Sequence, residues 1–198
     1  MSRAAFNPEH SIPPSPPPAH VIRDAIDGDF AAILRLNRDS EAALSPLTLP
    51  RLQALSGQAW YHRVACRAGS VQAFLIALRP GADYDSPNYR WFCARYTDFV
   101  YVDRIVVHAG ARQAGLATLL YDDLIRRAQE HAIGRITCEF DIDPPNEASR
   151  RFHARFGFVE VGTQLAGGGS KRVSLQARKV QAPPAVPAGE GRDGAPSL

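Results

Sequence analysis

Cysteine is scarce in this chain: Cys66, Cys93 and Cys138 stand far apart, with no C-x-x-C and no metal-ligand spacing. That excludes a disulfide framework and a thiolate metal site. It predicts free thiols on core or strand residues in a reducing compartment. The six histidines are scattered as well, so no metal is expected. No apolar run approaches the roughly 20 residues of a membrane span, and the N-terminus lacks the charged-then-apolar pattern of a signal peptide. A cytoplasmic protein with no membrane partner is expected. The formal charge of +3 is too small to point to nucleic acid, though it suits an anionic cofactor. There is no Gly-x-Gly-x-x-Gly and no early βαβ unit, which excludes a dinucleotide fold. Gly167-Gly168-Gly169-Ser170-Lys171 lacks the P-loop spacing and reads as a hairpin tip.

What remains is an ordinary soluble composition, 45% hydrophobic and 22% charged over 198 residues, enough for one domain with a proper core. Proline is concentrated at the ends. Pro13-Pro14-Ser15-Pro16-Pro17-Pro18 makes residues 1–19 an extended tail, and the Pro/Gly/Ala-rich residues 181–198 read as a second disordered tail. The folded domain is expected over 20–180.

Within it, Val21-Ile22-Arg23 reads as a strand, and Asp27 is positioned to cap a helix carrying Phe30, Ile33, Leu34 and Asn37. Pro46 and Pro50 precede a short helix around Leu52–Leu55. Tyr61–Arg67 and Val71–Leu78 form a hairpin across Ala68-Gly69-Ser70. A polar loop from Pro80 to Asn88 leads into the aromatic segment Trp91–Tyr96, and Phe99–Val107 is a strand. Leu116, Leu120, Leu124 and Ala128 recur at i+4 and define one buried helical stripe. Asp122–Arg126 and Asp123–Arg127 are expected ion pairs on its wet side. Ile136–Ile142 is a strand, Asn146 caps a helix that Gly157 closes, and Phe158–Gln164 with Arg172–Gln176 make a terminal hairpin. The order predicts a mixed α/β sheet rather than a regular βαβ series.

The densest signal runs from Asp103 to Ala117, where a β-branched strand ends in a Gly/Ala-rich turn and a helix begins at once. A helix N-terminus offers unpaired N–H groups and partial positive charge, a ready site for phosphate. Gly115 and Ala117 let a diphosphate approach the backbone, and Arg112 adds forked donors. Taken alone, the same residues also describe an ordinary strand–turn–helix connection.

Arg112-Gln113-Ala114-Gly115-Leu116-Ala117 is similar to the Arg/Gln-x-x-Gly-x-Gly/Ala loop of the GNAT N-acetyltransferase superfamily. Asn146-Glu147-Ala148-Ser149, running on to Gly157-Phe158, is similar to that family's second motif. Both occur in the family's order, one helix and one strand apart. The resemblance implies a mostly antiparallel sheet of six to seven strands with about four helices, splayed between the strands around Val107 and Phe140. It implies acetyl-CoA as cofactor. Ile105, Val106 and Val107 would pair with the pantetheine arm, Arg112, Gln113, Ala114, Gly115, Leu116 and Ala117 would hold the diphosphate, and Asn146 and Ser149 would flank the pantetheine. A small-molecule amine is the implied acceptor, and a homodimer is compatible with the family. A non-catalytic acyl-CoA-binding or regulatory module on the same fold is the alternative.

Acetyl transfer needs a base for the amine, a donor for the developing oxyanion and an acid for the thiolate. Where family members often carry a Tyr, four residues before Gly157, this chain has His153, either an acid or a packed core residue. Strict alternation puts Tyr101, Asp103, Ile105 and Val107 on one strand face. Asp103 is then a base or one half of a salt bridge, while Tyr101 stands roughly where some relatives have a Glu base. Glu139, Asp141 and Asp143 share a face that either binds a cationic acceptor or is simply solvated. Asn37 and Glu41 are further candidates for the acceptor site.

Overall fold

The computed structural model describes residues 20–40 and 44–181. The expected tails at 1–19 and beyond 181, and Glu41, lie outside the described residues. The elements run β1 (Val21–Asp24), α1 (Phe30–Arg38), α2 (Leu49–Gln58), β2 (Ala59–Arg67), β3 (Ser70–Leu78), α3 (Pro87–Cys93), β4 (Val100–Val107), α4 (Leu116–Glu130), β5 (Arg135–Asp143), α5 (Glu147–Arg155), β6 (Val159–Ala166) and β7 (Lys171–Lys179). The seven strands form one sheet in the order β1-β2-β3-β4-β5-β7-β6. Only β4 and β5 run parallel. Among the described residues no helix is long and apolar enough to cross a membrane.

Each face of the sheet carries its own core. Ile33, Leu52, Leu55, Phe92 and Phe99 pack with Phe74, Ile76 and Tyr101 on the face covered by α1, α2 and α3. The expected stripe Leu116, Leu120, Leu124 and Ala128 is buried on the other, against Leu75, Val102 and Cys138. The β2–β3 hairpin turns through Ala68 and Gly69, both at positive φ (48° and 78°), the conformation that matches the twist of a tight hairpin.

Two departures from regular pairing shape the centre of the sheet. The first is between β4 and β5, which pair only at Val100–Ile136 and Tyr101–Thr137. Beyond Tyr101 the strands diverge, so β4 from Val102 onward is laddered to β3 alone. The second is a bulge in β4. Ile76 pairs with Arg104 and Ala77 with Val102, leaving Asp103 as the extra residue.

The bulge corrects the alternation read from sequence. Tyr101 belongs to the α1–α3 face, yet Ile105 and Val107 pack with the α4–α5 core. Asp103 and the next residue, Arg104, reach partners in the α1–α3 half. The Arg104 guanidinium donates to Asn37 Oδ1 at 2.8 Å and the Tyr84 hydroxyl donates to Asp103. The acidic face of β5 is also interrupted. Its register with β7 slips between Asp141 and Asp143, leaving Asp143 exposed while Asp141 accepts a 2.9 Å ion pair from Lys171.

Other expectations shift for local reasons. Asp29, not Asp27, supplies the capping carboxylate of the first helical turn. It accepts from the Ile26 amide at 2.9 Å and from Arg23 at 2.6 and 2.8 Å. The end of the expected polar loop and the start of the aromatic segment form a helix, α3, capped by the Ser86 hydroxyl and started by Pro87. Cys66 and Cys138 are buried strand residues as expected, whereas Cys93 ends α3 and is exposed. The two expected ion pairs on α4 give way to better partners: Asp123 pairs with Arg63 and Arg126, and Arg127 with Asp24.

His62 on β2 illustrates the cost of a buried imidazole. It stacks on Phe30, its Nδ1 meets Ser56 Oγ at 2.9 Å, and its Nε2 is buried without a partner among the described residues. Burial pushes its pKa down to about 4 from 6.5. Between those values the unfolded chain binds the extra proton, so stability falls as pH drops through 6.5 toward 4. The loss reaches about 3 kcal/mol by pH 4. Thermal melts at pH 7.5 and 4.5 should show it, and His62→Gln should remove most of the difference.

Candidate functional site

The turn after β4 has the geometry of a phosphate cradle. Gly115 sits at φ 72°, ψ 11°, the left-handed conformation open to glycine, and heads α4 directly. The first bond within α4 runs from the Leu119 amide to the Gly115 carbonyl, so the amides of Leu116, Ala117 and Thr118 precede the helix ladder. A Cβ built on Gly115 meets nothing within 4 Å, which marks open space above the loop. Arg112, Gln113 and Ala114 are exposed beside it. The strand that feeds the loop, Ile105–Val107, is paired to β3 on one side and, among the described residues, has no strand on the other. A free strand edge leading to a glycine-headed helix N-terminus suits an extended arm ending in a diphosphate.

Across the gap, α5 begins as the sequence predicts. Asn146 Oδ1 accepts from the Ser149 amide at 3.0 Å. The Ser149 hydroxyl turns inward, 3.2 Å from His153 Nδ1.

His153 is fixed from every side. Its Nδ1 also lies 2.8 Å from the Ser149 carbonyl, which can only accept, so this nitrogen carries the proton. Nε2 is then bare and accepts from the Tyr121 hydroxyl at 2.9 Å. The ring stacks on Phe140 and meets Phe158 and Phe152 edge-on. Burial lowers its pKa, against the Ser149 carbonyl, which raises it. The expectation of an acid gives way here to the packed-core reading. With Nδ1–H on the Ser149 carbonyl and Nε2 on the Tyr121 hydroxyl, the imidazole presents no free N–H.

Asp103 likewise takes the salt-bridge alternative. One oxygen accepts from the Tyr84 hydroxyl and the other from Arg104 Nε at 2.6 Å. Arg104 carries the tie onward to Asn37 Oδ1, and Asn37 in turn donates to the Ser45 carbonyl at 3.2 Å. Asn37 is completely buried in this network, which removes it from the wall of an acceptor pocket.

Glu139 is different. It lies on β5 two residues past the last β4–β5 pair, where the strands have begun to diverge. Its Oε1 accepts from the Tyr101 hydroxyl and from Asn88 Nδ2, both at 2.9 Å. Its Oε2 is buried and has no partner among the described residues. Burial pushes its pKa up to about 8; Asp103 and Asp141 add to the rise, while the two donors oppose it. Tyr101 therefore acts as a donor, its own ionisation pushed well up by burial. A carboxyl group poised near neutral pH, with one free oxygen beside a gap in the sheet, can accept a proton.

The sequence singled out Glu139 only as part of an acidic face, and it passed over Asn88 and Tyr84. A cleft of about 730 Å³ lies elsewhere, between the C-terminal ends of α4 and α5 beside Arg135, Arg155 and Arg178, and shares no residue with the cradle or the gap.

Comparison with known proteins agrees with this geometry. The model of the acetyltransferase (GNAT) family matches residues 33–158. A search of curated proteins gave no match. Among solved structures, the chain is similar to Ard1 from Thermoplasma volcanium, with a TM-score of 0.68 and 19% identity over 82% of this chain and 99% of that one. It is also similar to the ribosomal-protein-S18-alanine N-acetyltransferase from Escherichia coli (TM-score 0.64, 15% identity, 85% and 99% covered). A third is yncA from Salmonella typhimurium, solved with its cofactor acetyl-CoA (TM-score 0.63, 19% identity, 85% and 99% covered). The chain belongs to the acetyltransferase (GNAT) family, whose members use acetyl-CoA.

Proposed function

We propose that this protein is an N-acetyltransferase that moves the acetyl group of acetyl-CoA to a primary amine of a small molecule, with Glu139 taking the amine's proton. The observation that carries the reading is the Glu139 carboxyl, on β5 just past the last β4–β5 pair, with Oε1 held by Tyr101 and Asn88 and Oε2 buried without a partner among the described residues. Residues Arg112–Ala117 would hold the diphosphate, and the free edge of Ile105–Val107 would pair with the pantetheine arm. Asn146 and Ser149 head the helix on the other side of it. When bound, acetyl-CoA supplies an activated thioester carbonyl.

An amine arrives mostly as ammonium and must lose a proton before its nitrogen can attack. An ordinary glutamate is far too weak a base for this. At about 8, Glu139 matches the acidity of an α-ammonium group, roughly 8, and comes closer to that of a lysine-like one, about 10. Proton transfer to Oε2 then frees the nitrogen lone pair. Amides on the unpaired edge of β4 can donate to the carbonyl oxygen as negative charge develops there. His153 acts at one remove, holding Tyr121 on α4 against α5.

Calorimetry with coenzyme A, run beside thiol release from acetyl-CoA over a panel of small primary amines, tests the reading. Coenzyme A binding with amine-dependent thiol release is expected. Binding without release from any amine would leave the non-catalytic module instead.

A further inference from the structure

The base is held by a helix that has no part in the cofactor cradle. α3 brings Asn88 over β5, where its Nδ2 donates to Glu139 Oε1 at 2.9 Å. The other end of the same amide is taken as well: Gln164 Nε2, on β6, donates to Asn88 Oδ1 at 3.0 Å. Asn88 is 8% exposed, so the pair of bonds is shielded from competing water. The orientation of the amide is thereby fixed from behind. With its oxygen engaged by Gln164, only its nitrogen can face Glu139.

Resting on the reading of Glu139 as the base, we propose that Asn88 is a positioning residue for the acetyl-transfer step. Locked by Gln164, it occupies Oε1 together with Tyr101 and reserves Oε2 for the incoming amine. The arrangement divides the carboxylate into an anchored oxygen and a working one. It also tunes the group, because a donor on Oε1 favours the charged form and opposes the cost of burial.

Other groups act on the same carboxyl. Tyr101 and Asp103 face it from β4, Tyr84 from the loop before α3 and Asp141 from its own strand, while Cys138 feels its charge from the opposite face of the sheet. Tyr121 contributes from α4. Asp103 is paired with Arg104 and Asp141 with Lys171, yet both still push the Glu139 carboxyl up, and removing Asn88 leaves Tyr101 as the donor to Oε1 among the described residues.

The test reads protonation directly and needs no acceptor. The full chain is labelled with ¹³C at the glutamate side-chain carboxyl, and the Glu139 resonance is identified by its loss in Glu139→Gln. In the unaltered protein it should titrate near 8. In Asn88→Leu, which keeps the size but loses the donor, the midpoint should move up by one pH unit or more. Gln164→Met, which releases Asn88 without touching Glu139, should give a smaller shift in the same direction, and it decides the matter if Asn88→Leu does not fold. An unchanged midpoint in a folded Asn88→Leu or Gln164→Met protein overturns the role of Asn88. A midpoint of 4 to 5 in the unaltered protein overturns the base reading itself, whatever Asn88 does.

Discussion

Replacing Glu139 by Gln should lower the rate of acetyl transfer by about 10² to 10⁴-fold, the usual worth of a general base, while coenzyme A affinity stays within about twofold. The substitution is nearly isosteric, and the amide oxygen can still accept from Tyr101 and Asn88 where Oε1 did. What is lost is the capacity to hold a proton. The unaltered enzyme should therefore show a rate that climbs with pH through about 8 as the carboxyl ionises, and the variant a residual rate without that rise. A second signature follows from linkage. The folded-state pKa lies above the unfolded value of 4.5, so Glu139 favours folding fully below 4.5 and this contribution is lost as pH rises toward 8. At pH 9 the native protein carries a buried carboxylate with a free oxygen, and Glu139→Gln does not. The variant should melt higher than the unaltered protein at pH 9 and close to it at pH 5. Wild-type turnover in Glu139→Gln, on any amine the unaltered enzyme acetylates, would remove Glu139 from the reaction.

The geometry of the proposed cofactor cradle is legible in the sequence because it is local. Gly115, the i+4 stripe of α4 and the Asn146 cap each work within a turn or two of the chain, so spacing alone carries them. The proposed base is not local. Glu139 meets Tyr101 across 38 positions and Asn88 across 51, and only the parallel β4–β5 pairing with α3 laid over it makes those contacts. Alternation along β4 fails for a related reason. The bulge at Asp103 puts two successive polar residues, Asp103 and Arg104, into one buried network, and nothing in the period-2 pattern announces an extra residue. α3 does carry a local signal, Ser86-Pro87 at its start, inside the stretch that reads from composition as the end of a polar loop. His153 shows the reverse case. Its place in the motif invites a chemical role, and only the tertiary contacts to Tyr121 and Phe140, added to the local one to the Ser149 carbonyl, reveal that both nitrogens are engaged.

Gly115→Glu should weaken coenzyme A binding at least 100-fold while leaving the fold intact. Two effects add, and they can be separated. The first is conformational: a side chain at φ 72° costs about 1 kcal/mol, enough to disturb the start of α4 without unfolding a domain cored by Leu116, Leu120 and Leu124. The second is electrostatic and steric. The new Cβ enters the open space above the loop, which is where a diphosphate must approach the amides that precede the α4 ladder, and the carboxylate brings negative charge to an anion site. Gly115→Asn isolates the terms, because asparagine tolerates the left-handed region and adds no charge. Its affinity should fall between the other two proteins, and the gap between Asn and Glu should narrow as salt is raised. Calorimetry at two ionic strengths measures both, with helical circular dichroism as the check on folding. Equal affinity for coenzyme A in the glycine and glutamate proteins would mean the diphosphate binds elsewhere, and the free edge of β4 would then lead to some other anchor.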